Sequence, residues 1–159
     1  MYKLDLKKFR SGLFLPDDCK GTYVLLLSLD LGKDILIGRG RNSFHLHFRA
    51  GYYAYVGSAH GPGGLKSRIN RHLKKEKKYV WHIDYLRKEA QPVEMWVDVH
   101  EKKLEKLWAD ALIAMKGSQP VENFGNTDDR RSRTHLYYFD HQPSFHVFGR
   151  LVSKMSVAS

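Results

Sequence analysis

Residues 51–73 read GYYAYVGSAHGPGGLKSRINRHL, and the way this stretch folds decides the architecture around it. The aromatic run 51–57 is bounded by glycines and has the composition of a buried strand. Glycines and a proline then let the chain turn. From Leu65 the period changes: Leu65, Ile69 and Leu73 recur every four residues, which predicts a helix with one buried stripe. Strand, glycine-rich turn and helix in succession could cradle a nucleotide phosphate. A Walker-type loop, however, needs lysine directly after its last glycine, so that amides and ammonium converge on one phosphate. Here Leu65 separates Gly64 from Lys66 and turns that lysine about 100° away on the helix. The nucleotide-loop reading fails on that residue.

The helix is also strongly basic. From Lys66 to Lys78 there are seven lysines and arginines against Glu76 alone. Arg68 and His72 are four apart and share a face, with Arg71 and Lys75 on a neighbouring line. Such a run is either a solvated outer face or a phosphate-binding one, and arginine suits a bidentate grip on phosphate. The whole chain leans the same way. Its 159 residues carry 27 Lys+Arg against 17 Asp+Glu, a net charge of +10. An excess of that size points to a polyanionic partner, because each phosphate contact releases a condensed counterion. Lys66, Arg71, Lys74 and Lys75, with Arg130 and Arg131 further on, are the candidate nucleic-acid contacts.

Cys19 is the only cysteine, which excludes an intramolecular disulfide and any zinc site needing two thiolates. The opening MYKLDLKKFR has an acid, Asp5, and no uninterrupted apolar core, unlike a secretory signal. No apolar run approaches the ~20 residues a membrane helix needs. A cytoplasmic protein is expected, nucleoid-associated in a bacterium or archaeon, with no membrane partner.

Along the rest of the chain, TYVLLLSL (22–29) and DILIG (34–38) predict strands, joined as a hairpin through Asp30–Lys33. FHLHF (44–48) and VEMWVDV (93–99) alternate as strands, and 79–90 predicts a helix ending before Pro92. EKKLEKLWADALIAMKG (101–117) has a stripe of Leu104, Leu107, Trp108, Ala111, Leu112 and Met115, capped at Gly117. HLYYF (135–139) and FHVF (145–148) predict late strands. The expected fold class is α+β, a small mixed β-sheet flanked by helices. An N-terminal arm (1–20) would precede a domain over 21–149, and 150–159 would be a flexible tail.

GTYVLLL (21–27), then YVG (55–57), then Arg68-Ile69 with His72 following, resembles the GIY-YIG nuclease superfamily. The surrounding text is similar to one branch of small GIY-YIG-type proteins, sometimes fused to endonuclease III-like repair glycosylases. The features shared with that branch are the glycine-rich insert, WHIDYL (81–86), EKLWADAL (105–112) and FGNTDD…HLYYF (124–139). The resemblance spans about Gly21 to Phe139. It implies a metal-dependent endonuclease acting on DNA in preference to RNA, structure- or lesion-directed in DNA repair, with Mg²⁺ or Mn²⁺ as cofactor and room for a repair-protein partner. Carried over, Tyr23 and Tyr55 would line the scissile phosphate, and Tyr23 rather than Tyr55 would activate the attacking water. Arg68 would stabilise developing charge, His72 would assist as a polar or relay group, and Glu105 would hold the metal. Gly57, Gly63 and Gly64 would serve the turn. The other function class is a non-catalytic nucleic-acid-binding module on the same fold.

Some assignments rest on the resemblance alone. Helical periodicity puts Glu101 and Glu105 on similar flanks and does not choose between them. His82 and Asp84 diverge on a helix and suit structural or DNA-facing roles, while His45 and His47 make a surface pattern. The chain also departs from the branch. Thr22 replaces the usual isoleucine, and DDRRSRTHL lacks the branch's close pair of cysteines, leaving Asp129 and Arg131 near their places. Asp128 is kept as a polar site residue, Arg133 adds charge, and Asn123 and Asn126 are only near the place of the family's closing asparagine.

Overall fold

The computed structural model describes residues 1–6, 15–74, 77–125 and 134–158. The elements are β1 (Tyr2–Asp5), β2 (Gly21–Leu29), β3 (Lys33–Ile37), β4 (Phe44–Phe48), β5 (Gly51–Ser58), α1 (Gly64–Leu73) and α2 (His82–Glu89). Then come β6 (Gln91–Val99), α3 (Glu105–Ala114), β7 (Gln119–Pro120), β8 (Leu136–Phe139) and α4 (Phe145–Val157). Among the described residues six strands form one sheet in the order β1-β6-β2-β5-β8-β7, and β3 pairs with β4 apart from it. The class is α+β. Every described pairing is antiparallel, where a mixed sheet was expected.

β2 explains the layering. Its residues are buried along nearly the whole strand, so both faces must be covered, and both edges are paired, with β5 and β6. Tyr23, Leu25, Leu27 and Leu29 point to one face, packed with Leu65, Ile69, Ile83, Leu86, Ile35 and Phe48. Val24 and Leu26 point to the other, packed with Trp96, Trp108, Leu112 and Phe148. Each such side chain, fully buried, contributes roughly 1.5–3 kcal/mol of transfer free energy. α1, α2 and the β3–β4 pair therefore cover one face, and α3 and α4 the other.

Three expectations change. β2 does not form a hairpin with β3. The turn chemistry at 30–33 is there, but two long apolar strands take both edges of β2, leaving the half-exposed β3 to pair with β4. FHVF opens a helix instead of a strand. Ser144 Oγ accepts from the Val147 amide at 3.4 Å as its cap, and Phe148 sets rings against Trp96 and Trp108. That helix carries the chain through 150–157, which was expected to be a flexible tail, and β1 places residues 2–5 of the expected arm in the sheet. Pro92 lies inside β6, beside a register shift opposite Leu26 and Leu27, where an irregular ladder tolerates a missing donor. Among the described residues no helix is long and apolar enough to cross a membrane.

Candidate active site

A cleft of about 440 Å³ opens where β2 begins and β5 ends. Tyr23, Tyr55, Gly57, Arg68, Trp81, Lys103, Glu105 and His135 are among its lining residues. The register sets Tyr23 opposite Gly57 and Leu25 opposite Tyr55, so the two tyrosines are diagonal neighbours on one face. A Cβ at residue 57 would stand 2.6 Å from the Tyr23 hydroxyl. Glycine there lets the phenol lie across β5.

The turn into α1 uses Gly63 and Gly64 at φ +79° and +52°. A Cβ on Gly64 would stand 2.2 Å from the Cys19 carbonyl oxygen, so this approach excludes any side chain. The first amides of the helix are satisfied within the chain. Gly63 N–H donates to Asp18 Oδ1 at 2.9 Å, and Leu65 N–H donates to the Cys19 carbonyl at 2.8 Å. Where a nucleotide loop would hold phosphate, the protein places its own carboxylate.

α1 buries Leu65, Ile69 and His72, with Leu73 only partly covered. His72 Nε2 lies 2.9 Å from the Tyr23 hydroxyl, and its Nδ1 is buried with no partner among the described residues. A bare lone pair is the cheaper orphan than an N–H. We therefore assign the proton to Nε2, which donates to Tyr23 and leaves the phenol's own proton for the cleft. Burial, with the charge of Lys77 behind it, lowers the His72 pKa to about 3, so the ring is neutral. Burial also raises Tyr23 well above the usual phenol range, assisted by Tyr55 and opposed by Arg68. Tyr55 is raised by burial and then by Glu105.

Two arginines share one tryptophan. The guanidinium carbons of Arg68 and Arg71 lie 4.5 and 4.3 Å from the Trp81 ring centre. Arg71 is committed: its guanidinium donates to Asp84 Oδ2 at 2.5 Å, beside Lys77 at 3.1 Å from Asp84 Oδ1. Asp84 also accepts from the Val80 and Trp81 amides. Burial alone would raise the Asp84 pKa, but these amides and Lys77 outweigh it and hold it low. Arg68 has no hydrogen bond or ion pair among the described residues, and it faces the cleft.

Glu105 opens α3, where Leu104 N–H donates to Thr22 Oγ1 at 3.3 Å and ties the helix start to β2. The helix begins at Glu105 and not at the expected 101, which separates the two candidate acids. Glu101 pairs with Lys20 on the surface at 3.3 Å, with its side chain 83% exposed. Glu105 lines the cleft, its Oε1 2.9 Å from His135 Nδ1.

The structure thus brings Tyr23, Tyr55, Arg68 and Glu105 into one cleft, with His72 behind Tyr23. The expected nucleic-acid contacts divide. Lys66 pairs with Asp17 at 2.6 Å and shares a separate groove with Lys74 and Arg71, a groove that also carries Asp17 and Asp18. Lys75, Arg130, Arg131, Arg133, Asn126, Asp128 and Asp129 lie outside the described residues. His82 Nδ1 accepts from the Gly125 amide at 3.1 Å, Asp84 is structural, and His45 and His47 are exposed. Sequence reading missed Trp81 and His135 as site residues. WHIDYL and HLYYF held both, but their pairings with Arg68 and Glu105 are long-range.

Neither the curated proteins nor the solved structures gave a match. The model of the family described as Domain of unknown function DUF123 matches residues 22–156, a span that holds every site residue described above, and the chain belongs to that family.

Proposed function

We propose that the cleft is the active site of a metal-dependent endonuclease that hydrolyses DNA phosphodiester bonds, directed to branched, nicked or damaged DNA. One observation carries the reading. A guanidinium with no hydrogen bond or ion pair among the described residues, a carboxylate, one buried phenol and one partly buried phenol converge from four separate elements on one opening. A binding module has no use for a carboxylate facing a polyanion, whereas a hydrolytic site does.

The donor set is compatible with a hard cation. Among the described residues no three His, Cys, Asp or Glu side chains could hold a metal together, which argues against a closed zinc-type site. Glu105, 28% exposed in its side chain, offers one carboxylate anchor. Mg²⁺ commonly takes one or two protein carboxylates and completes its shell with water and phosphate oxygens. Held by Glu105, Mg²⁺ or Mn²⁺ would supply positive charge to the phosphate and the leaving oxygen.

The chain's own groups do the rest. Arg68, braced on Trp81, would grip the non-bridging oxygens and offset the charge that grows as water attacks phosphorus. Tyr23 would orient that water, and it can take the water's proton only as phenolate. Burial opposes phenolate formation, while Arg68 and the His72 Nε2–H favour it. His72 is a positioning residue for Tyr23, and His135 for Glu105.

A panel of branched, nicked, abasic and plain duplexes incubated with Mn²⁺ tests the reading. Cleavage that disappears in Glu105→Ala supports it. Retention of DNA without any cleavage, weakening steeply between about 50 and 300 mM salt, would instead identify a non-catalytic nucleic-acid-binding module.

A further inference from the structure

A second groove, of about 460 Å³, is lined by Phe44, Tyr79, Tyr85, Arg39, Asn42 and Asn123. Val80 and His82 line both this groove and the cleft, so the two lie side by side. Its volume falls in the range of small-molecule pockets, ~300–1,000 Å³. The excursion β3–β4, which adds nothing to the main sheet, supplies one wall through Arg39, Asn42 and Phe44. The stretch leading into α2 supplies the other.

We propose that this groove receives an unstacked nucleobase of the strand whose phosphate occupies the cleft, an inference that rests on the nucleic-acid reading of that cleft. Three features select this occupant. The first is aromatic: Tyr79 and Tyr85 sit edge-to-face at 5.0 Å, and Phe44 and His82 at 5.5 Å. These rings meet edge-on without stacking on one another, and Val80 beside them is 61% exposed. The second is charge. No carboxylate is among the described lining residues, and Arg39 is. The groove on the other side of Tyr79 and Tyr85 carries Asp34 and Glu89, and the groove of Asp17 and Asp18 shares no lining residue with the cleft, so this is the groove that a strand held in the cleft reaches first. The third is the pair of asparagine amides at the rim, which offer both donors and acceptors to a base edge.

A base paired within a duplex already has both faces stacked and cannot lie on these rings. The substrate class that follows is DNA with an unpaired or extruded base beside the scissile phosphate, such as a flap or bulge.

The test uses the full chain without divalent metal, so that no strand is cut, and 2-aminopurine placed either in a one-base bulge or in plain duplex. Quenched fluorescence and about tenfold tighter binding of the bulge, lost in Tyr79→Ala and retained in Tyr79→Phe, are expected from the strength of base–aromatic stacking. Equal binding of bulge and duplex, or bulge binding unchanged in Tyr79→Ala, overturns the inference. The nuclease reading is scored separately by adding Mn²⁺. Cleavage of all duplexes alike, unaffected by Tyr79→Ala, sinks the groove and keeps the nuclease. Tyr79-dependent bulge binding without cleavage does the reverse.

Discussion

The hydroxyl of Tyr23 on β2 and Nε2 of His72 on α1, far apart in the chain, meet at 2.9 Å inside the protein. The contact joins the strand and helix of the candidate site, and it has a signature in stability. Free histidine takes up a proton near pH 6.5, whereas buried His72 does so at about pH 3. Between those values the unfolded chain binds more protons, so stability falls as pH is lowered through 6.5 toward 3. The slope approaches about 1.4 kcal/mol per unit, and above pH 6.5 the group adds none. His82, whose pKa burial also lowers, contributes in the same direction. Urea unfolding from pH 7.5 to 4 should show this slope, and His72→Gln should flatten it. An equally steep decline in the variant would refute the assignment.

Trp81 braces the arginine assigned to the phosphate. Cation–π contacts are worth roughly 0.5–2 kcal/mol, so Trp81→Ala should slow cleavage about 3- to 30-fold, with partial recovery in Trp81→Phe. The loss should appear in kcat, because in the proposed mechanism Arg68 would act on charge developed during reaction. Single-turnover rates at saturating DNA would reveal a wild-type rate, if the brace is unimportant.

Asp84 is a structural centre. Its carboxylate is fully buried between Arg71 and Lys77 and takes the two amides that begin α2. Removing one member of such a buried pair costs about 3–5 kcal/mol, so Asp84→Ala should lower the unfolding midpoint severely. Lys66→Ala breaks an exposed pair with Asp17 and should leave the unfolding midpoint nearly unchanged.

Gly57→Ala tests the close approach of Tyr23. The added methyl must displace the phenol, at an overpacking cost of roughly 1–3 kcal/mol. Cleavage should fall further than stability does, and a variant of wild-type activity would show that Tyr23 need not sit where it does.

Much of the frame was legible because it is written in local patterns. The apolar run of β2, the aromatic run of β5 and the stripe of α1 each reported their own element. The partner of β2 was not legible. Turn residues at 30–33 favoured β3, but β5 and β6 take the two edges of β2, and both lie beyond the local hairpin. α4 was missed because FHVF was judged on four residues, and its stripe shows only when Val152 and Met155 are included. In the site, sequence placed Arg68 and Arg71 on adjacent faces of one helix and could not tell that Asp84 neutralises only the second. Nor could it separate Glu101 from Glu105, since the answer depended on where α3 begins.

The most direct measurement is the Mn²⁺-dependent nicking rate of wild type, Glu105→Ala and Arg68→Ala on the best substrate of the branched, nicked and abasic panel. The account predicts cleavage by wild type and a loss of about 100-fold or more in each variant, the scale of removing a charge-stabilising group. Undiminished cleavage in both variants would contradict it.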